Sequence, residues 1–160
     1  MSRLLDDSVR YTVKWQRRLG LADWQVTVSV GKNKDHEGAV TTRSSQRRSA
    51  SIKVSPWHEK DELSRADLEQ TIVHELLHVK FTDVVVRAKD YIKHFAGEGC
   101  LGDNAREEIV ELEERLADSL ALSLVRTDRM EWEMPHKSGS RAYPSTKAHP
   151  KPKKKPAKKK

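Results

Sequence analysis

The amino-acid sequence predicts an α+β domain with an N-terminal helix, a small, mostly antiparallel sheet of about three strands, and two long helices after the sheet. Three observations predict it. Apolar residues near the N-terminus recur at helical spacing, short segments between residues 24 and 55 read as strands, and residues 64–126 again show helical periodicity. With 160 residues the chain is long enough for one such domain, which we expect to span residues 1–134.

The first helix is predicted over residues 3–19. Gly20 follows it and favours a helix end at this point. The apolar residues that recur at roughly helical spacing are Leu4, Leu5, Val9, Val13 and Leu19.

Three short strands are predicted next. Residues 24–30 alternate apolar and polar side chains, which is typical of a half-buried strand. Residues 39–43 and 50–55 flank a polar loop and predict two further strands. Pro56 ends the last of them, because proline cannot donate a hydrogen bond to a ladder.

Two more helices follow. Ser64 and Asp67 have the spacing of a capping box, which predicts that the first of these helices begins at Ser64 and continues to Val79. Residues 84–86 fit either its continuation or a short extended segment. A second capping box at Asn104 predicts a long helix that reaches about residue 126.

Charge is distributed unevenly along the chain. Ten of the 31 Lys and Arg residues, and none of the 24 Asp and Glu residues, lie in 136–160. This leaves 21 basic against 24 acidic residues, a net charge of −3, in residues 1–135. The predicted domain is therefore mildly acidic, which excludes a basic nucleic-acid-binding domain.

Features of export and membrane insertion are not found in the sequence. No apolar run approaches the roughly 18 residues of a membrane span, and the N-terminus has no apolar run of signal-peptide length. The one cysteine, Cys100, cannot form an internal disulfide and fits a reducing compartment. We expect a cytoplasmic protein without membrane contact, whose metal ligands would have to be histidines and carboxylates.

An HExxH motif, His74-Glu75-Leu-Leu-His78, lies inside the helix that is predicted to begin at Ser64. Residues four apart on a helix differ by about 40° in direction, so both imidazoles project from one face and can bind one Zn²⁺. Glu75 points about 100° away from His74 and can accept a proton from water beside the metal. We expect one zinc ion per chain, bound by His74 and His78, with Glu75 as the catalytic base. The alternative is a polar helix surface on which the motif is accidental.

A catalytic zinc keeps three protein ligands and one open position. The extended motif with a third His is absent, because Phe81 and Val84 occupy its Gly and His positions. The second helix offers glutamates instead, and on a helical wheel both Glu113 and Glu114 fall among apolar residues. Periodicity narrows the choice but does not decide between Glu114 and the neighbouring Glu111 and Glu113.

Part of the second helix resembles a known family. In ImmA/IrrE-like peptidases, a Glu, an Ala three residues on, an apolar-Ala pair and a Leu follow an upstream HExxH, and the matching residues here are Glu114, Ala117, Leu120, Ala121 and Leu124. The spacing of Glu114 and Asp118 also resembles the wider gluzincin class, and the strands before the motif helix are similar to those of SprT-like and phage-encoded small zincins. The resemblance implies a minimal zincin fold and a zinc-dependent endopeptidase that acts on a protein or peptide substrate. It also implies Glu114 as the third zinc ligand and Asp118 as the carboxylate that orients a ligand His.

Other candidate residues are less specific. Four side chains could donate a hydrogen bond to a transition state, although each also fits an ordinary surface residue: His36, Tyr91, His94 and Arg126. An extended peptide substrate is expected to pair with an exposed sheet edge, for which residues 50–55 are the candidate. The alternative is that this strand lies inside the sheet.

Residues 135–160 are predicted to be a disordered tail rich in Lys and Pro. Its last part carries Lys151, Lys153, Lys154, Lys155, Lys158, Lys159 and Lys160. Such a run of lysines attracts polyphosphate without sequence specificity, so we expect nonspecific nucleic-acid affinity. A solubilising tail or a contact with an acidic partner are the alternatives. A competing function for the whole chain is a nucleic-acid-associated binding protein whose zincin core is inactive or structural.

Overall fold

The computed structural model describes residues 2–32, 38–59, 62–96 and 99–133. The elements are α1 (Arg3–Arg18), β1 (Gln25–Val30), β2 (Ala39–Ser44), β3 (Ser49–Val54), a short 3₁₀ helix (Pro56–Glu59), α2 (Glu62–Ala96) and α3 (Cys100–Glu133). The predicted α+β class is confirmed, and each predicted strand agrees with the structure to within a residue or two. The predicted tail and His36 lie outside the described residues.

The sheet is mixed, which corrects the prediction of a mostly antiparallel sheet. The strand order is β1-β3-β2. β2 and β3 form an antiparallel pair, whereas β1 runs parallel to β3. The difference arises because β3 carries the most buried side chains, Ala50, Ile52 and Val54, and therefore takes the central position.

The central position of β3 also corrects the predicted substrate edge. Both sides of β3 are paired, so residues 50–55 cannot accept an added strand. β2 is an edge strand, and it packs beside α2, the helix that carries the HExxH motif.

Both long helices extend beyond their predicted ends. α2 begins at Glu62, two residues before Ser64, and continues through residues 84–86 to Ala96. α3 begins at Cys100, four residues before the predicted cap at Asn104. A capping box is a local signal, whereas α2 and α3 pack along each other, and this packing stabilises additional turns.

The buried face of α1 differs from its apolar spacing. Val9 and Val13 are exposed, whereas Ser8 and Thr12 are buried with Leu4 and Trp15. The hydroxyl of Ser8 donates to the carbonyl of Leu4, and that of Thr12 to the carbonyl of Ser8. Because these hydroxyls are satisfied within the helix, small polar side chains can occupy the contact with the core.

The core joins the sheet to the first part of α2. Trp15 and Trp24 pack with the buried side of β3 and with the apolar residues around the HExxH motif, which are Ile72, Val73, Leu76 and Leu77. One side of α2 is therefore packed against the core, while His74 and His78 face the other side. None of the helices in the described ranges combines the length and the apolar character needed to cross a membrane.

A partly buried ion cluster joins the three helices. Asp128 of α3 pairs with Lys14 and Arg18 of α1, and Lys14 also contacts Glu69 of α2 at 2.6 Å. Glu69 in turn accepts a hydrogen bond from the indole of Trp15 at 2.8 Å. Burial alone would raise the pKa of Asp128, but the hydrogen bonds and charges of Lys14 and Arg18 outweigh it and hold the pKa below its usual value.

We expect Asp128→Asn to lower the free energy of unfolding by about 1–3 kcal/mol at pH 7, because Lys14 and Arg18 lose their shared partner but can still reach water. A depressed folded-state pKa stabilises the fold above the usual Asp value of 3.8, and this contribution is lost as the pH falls through the lowered value. Urea unfolding of the parent and of Asp128→Asn at several pH values measures this difference in the free energy of unfolding. The matched control is Asp103→Asn, which removes the acid of an exposed surface pair and should have little effect. Equal losses for the two variants would contradict the prediction.

Candidate metal centre

The site lies where α2 and α3 pack closely. Ala117 and Ala121 of α3 are completely buried, and their small side chains let the two helices approach each other. On α2, His74 and His78 are one turn apart and project from the same face. Glu114 of α3 reaches the same point, so the structure places the three residues together.

Three electron-pair donors converge here. The Nε2 atoms of His74 and His78 lie 2.9 Å apart. Oε2 of Glu114 lies 3.3 Å from Nε2 of His74, and Oε1 of the same carboxylate lies 3.4 Å from Nε2 of His78. Among the described residues, this is a cluster of His and acidic side chains whose ligand atoms all lie within 4.8 Å of one another.

The other ring nitrogens face carboxylates. Nδ1 of His74 lies 2.8 Å from Asp118, and Nδ1 of His78 lies 3.0 Å from Glu113. An ionised carboxylate only accepts hydrogen bonds, so each Nδ1 is the protonated nitrogen of its ring. In a neutral imidazole the Nε2 atom is then an acceptor, and both Nε2 lone pairs are directed at the same place as Glu114.

This donor set fits a zinc ion. Bonds of 2.0–2.1 Å at tetrahedral angles separate ligand atoms by about 3.4 Å, close to the two distances that Glu114 makes. The Nε2 pair would have to open by roughly half an ångström to reach the same spacing. Two imidazoles and one carboxylate are also the ligand types of catalytic zinc sites, and they leave a fourth position open.

The sequence did not identify Arg43 as part of the site, and it offered Glu113 only as an alternative zinc ligand. The guanidinium of Arg43, on β2, donates to the main-chain carbonyl of His78 and makes two hydrogen bonds to Glu113, at 2.6 and 3.0 Å. Burial alone would raise the pKa of Glu113, but its hydrogen bonds to Arg43 and His78 and the charge of Arg43 hold the pKa below its usual value. Glu113 therefore stays ionised and orients the ring of His78. In the sequence, Glu113 was indicated by its position among apolar residues on the helical wheel.

Glu75 lines two clefts beside the cluster. One cleft, of about 280 Å³, is lined by residues of β2, including Arg43, and by the two histidines, Glu75 and Glu114. A second cleft continues past His74 and Glu75 to Asp118 and His58. The side chain of Glu75 is only 6% exposed, yet it lines both clefts.

β2 directs backbone groups away from the sheet beside the first cleft. The N–H of Ser55 donates to the carbonyl of Gly38, which makes Ala39 and Val54 a non-hydrogen-bonded pair of the antiparallel ladder. Bonding alternates along such a ladder, so Ala39, Thr41 and Arg43 direct their N–H and C=O groups away from β3. All three residues line the cleft.

The remaining candidates lie elsewhere. Tyr91 and His94 are near the exposed end of α2, where both rings contact Phe95, and Arg126 is exposed on α3. Glu111 pairs with Arg115 at 2.9 Å on the surface of α3. None of these four residues lines either of the two clefts just described.

Comparisons of the chain with protein-family models, with curated proteins and with solved structures found no match. The resemblance to ImmA/IrrE-like and other small zincins therefore stays a prediction.

Proposed function

We propose that the chain is a zinc-dependent metallopeptidase, an endopeptidase whose metal ligands are His74, His78 and Glu114. The observation that carries this proposal is the convergence of two Nε2 lone pairs and a carboxylate, with both histidines oriented from behind by Asp118 and Glu113. Carboxylates behind ligand histidines are a regular feature of zinc sites. The direct test is zinc content by elemental analysis together with cleavage of an unstructured protein substrate by the purified chain.

The chain's own residues divide the chemistry between them. A zinc ion held there supplies Lewis-acid polarisation of the scissile carbonyl and lowers the pKa of water. Glu75 accepts the proton of the attacking water and later delivers it to the leaving amine nitrogen.

The substrate backbone would pair with the outer edge of β2. Hydrolysis needs an extended segment, because a folded one hides its carbonyl groups, and an added strand can bond to the backbone groups of Ala39, Thr41 and Arg43 that face away from β3. The cleft beside β2 also contains Glu75, so a strand bound there would pass the candidate catalytic base.

We expect Thr41→Pro to raise KM by about 5- to 30-fold, because one lost backbone hydrogen bond in a buried contact costs about 1–2 kcal/mol. The fold and zinc content should persist, because the N–H of Thr41 is not used in the ladder with β3 and proline is tolerated on edge strands. Steady-state kinetics measures KM, and thermal melting measures whether the fold persists.

Two control variants make this experiment specific. Thr41→Val removes the hydroxyl but keeps the N–H, so its KM should stay within about twofold of the parent if the backbone is the recognition element. Lys53→Pro, in the central strand, should unfold the protein instead. If Thr41→Pro folds and has the KM of the parent, substrate does not pair with β2.

A further inference from the structure

A long part of the α2–α3 hairpin extends past the residues that pack on the sheet, and its surface is unusually apolar. Six large side chains there are 48–81% exposed: Val84, Tyr91, Phe95, Leu101, Leu112 and Leu116. They form stripes, because the spacings 84–91–95 and 101–112–116 keep each set on one side of its helix. Monomeric proteins rarely expose an apolar patch of this size.

The two stripes border a groove. Its walls are Phe81, Val84, Val85 and Ala88 from α2 and Ile109, Leu112 and Leu116 from α3, and its volume is about 240 Å³. Hereafter these residues are called the apolar groove. Glu113, which orients His78, contributes to the lining as well, so the groove adjoins the candidate metal centre.

We propose that the apolar groove and the stripes beyond it are the interface of a homodimer, in which two hairpins pack face to face with α2 of each copy beside α3 of the other. The six side chains expose roughly 600–800 Å², which approaches the about 800 Å² per partner of a standard interface. A single amphipathic helix would cover the groove but leave Tyr91, Phe95 and Leu101 in water, whereas a second hairpin covers the whole length.

One pair of opposite charges favours this arrangement. Arg87 is exposed on the outer edge of the α2 stripe, and Glu108 is exposed on the outer edge of the α3 stripe. Val84 and Leu112 line the same groove, so Arg87 and Glu108, three and four residues further toward the hairpin tip, lie at nearly the same height. A two-fold axis along the hairpin therefore sets Arg87 of each copy next to Glu108 of the other, and it forms two such pairs.

The test is sedimentation equilibrium of the full chain, treated with nuclease, over about 1–100 µM. We expect the mass to rise from that of the 18.3 kDa monomer to twice that value. Val84→Glu should weaken the dimer at least about 30-fold by placing a charge in the apolar contact. The matched control, Val86→Glu, changes an exposed valine on the opposite side of the same helix and should stay within about twofold.

The charge pair gives a second, independent readout. Arg87→Glu and Glu108→Arg should each weaken the dimer about 3- to 10-fold, and the double variant should restore it. Both residues are exposed, so these variants are expected to fold, which circular dichroism checks. A monomer at all concentrations, equal effects of Val84→Glu and Val86→Glu, no rescue by the double variant, or a series of species larger than a dimer would each overturn the proposal.

Discussion

Glu75→Gln is expected to reduce kcat by about 10²–10⁴-fold while zinc content and melting temperature stay unchanged. The amide has nearly the shape of the carboxylate, so packing in the half-closed space beside His74 is preserved. It cannot accept the proton of the attacking water, so the general-base contribution is lost. The measurement is turnover of an extended peptide together with metal analysis of the same preparation.

The outcomes of this experiment separate the proposed function from its competitor. A nucleic-acid-associated protein with a structural metal site would bind zinc but show no turnover that depends on Glu75. Conversely, peptide cleavage that survives Glu75→Gln within about tenfold would show that another residue moves the proton. Absence of zinc from protein prepared without chelator would exclude both of these interpretations.

Much of the fold follows from local patterns. β1 and β3 alternate in polarity, β2 is a short segment beside a polar loop, and α2 and α3 have apolar periodicity, so the existence and order of these elements could be predicted. The strand order could not, because β3 becomes central through its long-range contacts with both β1 and β2. The buried face of α1 was also hidden, because Ser8 and Thr12 satisfy their hydroxyls within the helix and are buried although they are polar.

Part of the candidate site could likewise be predicted from the sequence, and part could not. His74, Glu75 and His78 share one helix, so their relative geometry follows from the helical repeat. Glu114 and Glu113 are neighbours on α3, and only the packing of α3 on α2 shows that the first reaches Nε2 atoms while the second reaches Nδ1 of His78. Arg43 comes from a different element altogether, and its role depends on the position of β2 at the edge of the sheet.

The second large effect is expected at Glu114. We predict that Glu114→Ala weakens zinc binding by more than about 100-fold, beyond the 10- to 100-fold that loss of a carboxylate behind a ligand usually costs. The physical reason is that Glu114 offers an oxygen to the same point as both Nε2 atoms. The side chain is half-exposed, so its removal should leave the fold intact, and competitive metal titration measures the affinity.

Three further variants turn this prediction into a ranking. Asp118→Asn and Glu113→Gln should each weaken zinc binding about 10- to 100-fold, because they disturb the orientation of His74 and His78 without removing a ligand. Glu111→Ala is the matched control, since Glu111 is exposed on the same helix, pairs with Arg115 and should bind zinc as the parent does. The sequence alone left Glu111, Glu113 and Glu114 as alternatives, and the structure separates them by the atoms they reach. A titration in which Glu113→Gln or Glu111→Ala costs more affinity than Glu114→Ala would show that the third ligand is a different carboxylate.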